Sequence, residues 1–114
     1  MSTTLSPAFK FFDSAIMPWQ PSRHADGVYI KKLGKADGNA MELVRFDSGA
    51  HFPIHQHLGP EFVYLLEGEA VQNGHRLTAG CAAVADKGTV DADFHSRSGC
   101  IFLLVHNLAD TESH

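Results

Sequence analysis

The residues best equipped for chemistry lie between Gly49 and Gly68, where His51, His55 and His57 are followed by Glu61. In an extended strand alternate side chains share a face, so His55 and His57 stand about 6.5 to 7 Å apart along the chain and can converge on one ion. The Leu58-Gly59-Pro60 turn then reverses the chain and starts a strand at Glu61, returning a carboxylate to the same side. Two imidazoles and a carboxylate on neighbouring strands leave coordination positions open. That donor set suits iron(II) and oxygen chemistry and also accommodates manganese, nickel, zinc or copper. The expected cofactor is one divalent transition metal, iron(II) favoured. The competing reading is a hairpin with solvated polar side chains, or a metal-free pocket that keeps these groups.

The rest of the composition narrows the setting. Eight histidines in 114 residues exceed what core packing needs. A net charge of −4 without a basic cluster disfavours nucleic acid or an anionic membrane as partner. The apolar run 101–105 is too short to cross a bilayer, and the N-terminus does not read as a signal peptide, so a soluble cytoplasmic protein is expected. Cys81 and Cys100 are too few for a disulfide framework and read as buried thiols.

Glycine and proline break the chain into pieces mostly about 6 to 12 residues long, the rhythm of an all-β sandwich or barrel. Strands are expected at 28–33, 41–46, 62–66, 69–72, 82–85 and 100–106. Ala36-Asp-Gly-Asn39 and Asn73-Gly74 tolerate positive φ and predict tight hairpins, hence antiparallel neighbours. Residues 8–17 fit either a helix, with Ala8, Phe11, Phe12, Ala15 and Ile16 on one face, or a strand. Their aromatics, with Trp19, are expected to cover the barrel or a second subunit. Residues 100–106 are apolar on both faces, as a doubly buried strand or a dimer interface would be.

Gly49, His55, His57, Glu61 and Gly68 resemble the first motif of the cupin superfamily, with no departure in spacing. Chance, from this chain's own residue frequencies, gives that pattern on the order of 10⁻⁴ times per chain. The second motif is degraded. Gly80 and Gly88 are in place, Asp86 stands for the proline, Asp91 occupies the histidine position, and His95 falls on the asparagine position. Either Asp91 or His95 could complete the metal site, or neither. Trp19-Gln-Pro21, Leu43-Val-Arg-Phe46, Gly59-Pro-Glu61 and Leu66-Glu-Gly-Glu69 look closest to small single-domain, RmlC-like cupins, including the cupin-like domain of zinc-dependent anti-sigma factors and dioxygenase-like cupins. The resemblance implies a double-stranded β-helix, or jelly-roll, barrel of two antiparallel sheets, with a metal in its mouth and commonly a homodimer. The division it suggests is an N-terminal segment over 1–18, a barrel over 19–108 and a flexible tail over 109–114.

Three functions compete. The first is a metal-dependent dioxygenase or related lyase acting on a small molecule, with aromatic and dicarbonyl compounds as the candidate substrates. The second is a non-catalytic sensor of metal or small ligand, ranked lower because 114 residues are expected to leave no room for a partner-binding domain. The third is a sugar isomerase or epimerase, which the apolar lining expected from Val63 and Leu65 disfavours. His24, His75, His106 and His114 read as surface or interface residues, His51 as a minor ligand candidate, and Arg45 as a solvated or structurally paired cation with an inward anion-holding role as the alternative.

Overall fold

The computed structural model describes residues 7–109, apart from the side chain of His55. Among these, a 3-10 turn at Ser14–Ile16 precedes eleven strands. They are β1 (Gln20–Pro21), β2 (Val28–Ala36), β3 (Asn39–Phe46), β4 (His51–Phe52), β5 (His55–Gln56), β6 (Glu61–Gln72), β7 (His75–Thr78), β8 (Ala82–Ala85), β9 (Val90–Asp91), β10 (Phe94–His95) and β11 (Cys100–Asn107). The ladder runs β1-β2-β3-β11-β6-β10-β4, with β7 and β8 also on β6, and β5 pairs with β9. Every pairing is antiparallel. This is an all-β antiparallel jelly roll, the architecture that the cupin resemblance implies. No helix among the described residues is long and apolar enough to cross a membrane.

Local chemistry explains the turns. Asp37 and Gly38 have φ of 50° and 80°, and Asn73 and Gly74 have 48° and 81°. Two successive positive φ values match the right-handed twist of the flanking strands, and Asp, Asn and Gly adopt them at least cost. The pieces expected at 62–66 and 69–72 form one continuous strand, β6, which passes from one sheet to the other. Its first half pairs with β8 and β11, its second with β7 and β10. Gly68, with φ of 77°, is the joint. A Cβ there would run into the Gly99 carbonyl oxygen and stand 2.9 Å from the Cys100 Cα.

Side-chain alternation fills the interior. β3 buries Glu42, Val44 and Phe46, β6 buries Glu61, Val63 and Leu65, and β11 buries Cys100, Phe102, Leu104 and His106. Phe46, Phe52, Phe94 and Phe102 interlock with ring centroids 4.9 to 6.1 Å apart. Each such ring contributes about 2 to 3 kcal/mol by leaving water. β11 buries one face fully, whereas Ile101, Leu103 and Val105 on the other are half-buried. Cys100 is buried, but Cys81 is only half-buried, which corrects one of the two thiol expectations.

Residues 8–17 make neither a ten-residue helix nor a strand. Only one 3-10 turn forms, capped by Asp13, whose Oδ1 accepts from Ala15 N at 3.0 Å. Most of the apolar stripe stays bare among the described residues, Phe11 and Ile16 being 87% and 82% exposed, and a short helix with so few tertiary contacts is not stable. Phe12 lies over Gly34, and Lys31 Nζ donates to Ser14 O at 2.7 Å. Arg45 points outward and lies 4.5 Å from the Tyr29 ring and 5.1 Å from the Trp19 ring. The anion-holding alternative is thereby overturned, because the inward parity of β3 belongs to Glu42, Val44 and Phe46.

Candidate metal centre

One end of the barrel interior is apolar, and the other carries ionisable groups on inward positions. His57, Glu61 and Asp91 are 1%, 2% and 3% exposed. One ligand atom from each lies within 4.8 Å of the other two, and His57 Nδ1 is 2.9 Å from Glu61 Oε2. Three segments hold them. Pairing of β5 with β9 sets His55 opposite Asp91 along the backbone. Just beyond, His57 N donates to Thr89 O and Gly88 N to His57 O, each at 2.9 Å. Glu61 opens β6 after a turn whose Gly59 packs so closely on Asn107 that a Cβ would come within 2.6 Å of its side chain. Gln72 Nε2 donates to Asp91 Oδ2 at 3.4 Å.

The donor chemistry fits a divalent cation. Two carboxylates this close and this buried repel each other in a low-dielectric interior, and a shared cation removes that cost. Neutral imidazole and carboxylate oxygen together suit Fe, Mn or Zn. Beside the three groups opens a cavity of about 220 Å³. Val63, Leu77, Ala83 and Val90 supply apolar wall, and Gln72, Asn73, His75 and Thr89 supply uncharged polar groups or an imidazole. None of the described lining residues is Lys or Arg.

Behind Glu61 stands a second buried pair. His106 is the cross-strand partner of Glu61, and its Nε2 donates to Glu42 Oε1 at 2.6 Å while Nδ1 contacts Asn107 O at 3.1 Å. Burial alone would push the imidazole pKa down. The hydrogen bond and charge of Glu42, the Asn107 carbonyl and the charge of Glu61 together raise it.

The candidates separate clearly. His57, Glu61 and Asp91 come together. The side chain of His55 lies outside the described part of the structure. His95 stands elsewhere, its Nδ1 2.7 Å from Asp93 Oδ1, and with His51 it lines a different, open groove. β4 and β10 place Phe52 and Phe94 in the core, which sends the adjacent His51 and His95 outward. Sequence reasoning missed Gln72, Asn73, His75 and Thr89 as cavity residues and Glu42 with His106 as a buried pair. Parity with Val44 could have found Glu42, and parity with Leu104 could have found His106.

A family model for the ChrR cupin-like domain matches residues 8–109. The chain belongs to that family. Solved structures share the fold at low identity. An acetylacetone dioxygenase from Acinetobacter johnsonii superposes with a TM-score of 0.75 at 14% identity over 94% of this cupin and 78% of that chain. An RmlC-like cupin from Shewanella frigidimarina gives 0.74 at 22% over 88% and 91%. The complex of Rhodobacter sphaeroides SigE with the anti-sigma ChrR gives 0.70 at 23%, covering 83% of this cupin and 51% of the matched chain. This cupin therefore spans about half of that last chain. No curated protein matches it significantly.

Proposed function

We propose that this cupin is a metal-dependent oxidoreductase of dioxygenase type acting on a small organic molecule. The observation carrying the reading is the buried His57, Glu61 and Asp91 cluster at the wall of a mainly apolar cavity. His57, Glu61 and Asp91 would hold the cation, with His55 as a further ligand on the strength of its place in the motif. Iron(II) is the favoured metal, and manganese, nickel, zinc and copper are alternatives. Bound there, ferrous iron would supply Lewis acidity and one-electron chemistry with dioxygen. Val63, Leu77 and Ala83 exclude water from the reacting groups, and Gln72 and Thr89 offer hydrogen bonds to a substrate's oxygens. With two carboxylates balancing a dication and no described Lys or Arg in the wall, the substrate is uncharged or becomes singly anionic only on binding. The acetylacetone dioxygenase among the structural relatives supports a dicarbonyl as the first compound to test.

Elemental analysis of protein purified under reducing, metal-sparing conditions, then oxygen uptake by the ferrous-loaded protein over small phenols and dicarbonyls, tests this. Near-stoichiometric metal and uptake with at least one compound are expected. Stoichiometric metal with no uptake turns the assignment to the second reading, a sensor that binds metal or small ligand, which the family description and the SigE complex favour. We also propose a homodimer formed on the exposed sheet face, a cytoplasmic location in keeping with two free cysteines, and a barrel over 19–108 preceded by a separate N-terminal segment; residues 1–6 and 110–114, on which the rest of that division falls, lie outside the described part of the structure.

A further inference from the structure

The segment that carries Asp91 is short of backbone partners. β9 is two residues long, β10 is two residues long, and Ala92 and Asp93 between them belong to neither. On one side β5 holds Val90 and Asp91. On the other side a single residue of the β6–β7 turn, Asn73, does the same work with four hydrogen bonds. Its Oδ1 accepts from Ala92 N at 3.0 Å and from Asp93 N at 3.1 Å. Its Nδ2 donates to Val90 O at 3.0 Å, and its backbone N donates to Asp93 O at 2.7 Å. The contacts fall on both neighbours of Asp91, and the preceding residue, Gln72, donates to Asp91 itself.

From this arrangement we infer that Asn73 is the positioning residue for Asp91, fixing where its carboxylate meets His57 and Glu61. The inference rests on the metal reading given above. Two properties are needed at once. The turn demands φ of 48°, which Asn tolerates better than most side chains, and the clamp demands an acceptor and a donor on one short planar group, which an amide provides. Aspartate would keep the turn and the acceptor but lose the donor to Val90. Glycine would keep the turn and lose the side-chain clamp. An asparagine that served the turn alone would be replaceable by glycine without consequence for metal binding.

The test uses the full chain with Zn2+ as probe, in competition with a chelator, alongside amide hydrogen exchange of the metal-free protein. N73G should bind Zn2+ about 10- to 100-fold more weakly, the range typical of losing a residue that orients a ligand. The Ala92 and Asp93 amides should exchange faster in N73G while the β6–β11 amides keep their protection. N73D should retain protection at Ala92 and Asp93, and its exchange pattern carries the test if N73G does not fold. Zn2+ affinity of N73G within twofold of the parent, with H57A abolishing binding, overturns the inference and leaves the metal centre intact. Parent-like binding by both N73G and H57A overturns the metal reading itself, and with it the inference.

Discussion

At the scale of single residues, the candidate centre brings two carboxylates to one imidazole among the described residues. Asp91 takes the place where the second cupin motif has histidine, and it does so buried and within ligand distance of Glu61. His95, four residues on, faces the opposite side of the wall and is tied to Asp93. D91A should therefore weaken divalent-metal affinity by more than about 100-fold, as removal of a direct ligand exceeds that of an orienting one, while H95A should stay within twofold. A chelator-competition titration separates the two, and equal losses would remove Asp91 from the site. Glu69 makes a different prediction. Burial pushes its carboxyl up, but hydrogen bonds from Ser98 N, Arg97 N and Ser98 Oγ, helped by Arg76, lower the pKa overall. A folded-state pKa below the unfolded one, about 4.3, contributes stability at neutral pH that is lost as pH falls through the folded value. E69Q should lower the urea midpoint at pH 7 and by much less at pH 3. An unchanged gap would place the effect in packing.

At the scale of elements, the legible features are those set by neighbours in sequence. Ala82–Ala85 forms as its composition suggests, and both Asp-Gly and Asn-Gly turns adopt paired positive φ. Illegible features depend on distant partners. β4, β5, β9 and β10 are two residues each, too short for periodicity to register, and they exist because the barrel brings their edges together. Asp91 enters the centre only through such a pairing, which is why spacing alone left it level with His95. The exposure of Phe9 and Phe11 likewise follows from the absence of a described surface beneath them rather than from their spacing. Gly68 shows a motif residue with a purely structural duty. A G68A protein must adopt left-handed backbone and displace the Gly99 carbonyl, and should lose at least about 2 kcal/mol of stability. Chemical denaturation measures it, and a loss below about 0.5 kcal/mol would mean that β6 bends elsewhere.

At the scale of the whole molecule, the outward face of the β3-β11-β6-β8 sheet carries two successive apolar rows, bordered by a third in which Arg45 and Glu67 flank Ile101. Cross-strand register puts Met41, Val105, Phe62 and Val84 in one row and Leu43, Leu103, Tyr64 and Ala82 in the next. Met41, Phe62, Tyr64 and Val84 are 41% to 66% exposed. Contiguous apolar surface of this kind is costly in water and is characteristic of association sites, and a twofold axis would let two copies cover it with the same patch from each. The expected state is a dimer that buries Phe62 and Tyr64, whose side chains alternate along β6 with the inward Glu61, Val63 and Leu65. Light scattering coupled to size exclusion should give twice the chain mass for the parent. Y64E places a charge at the centre of the patch and should give a monomer that still binds one metal ion. A parent that stays monomeric at 100 μM, a concentration at which about 5.5 kcal/mol of association free energy already populates dimer, would assign the patch to a different partner.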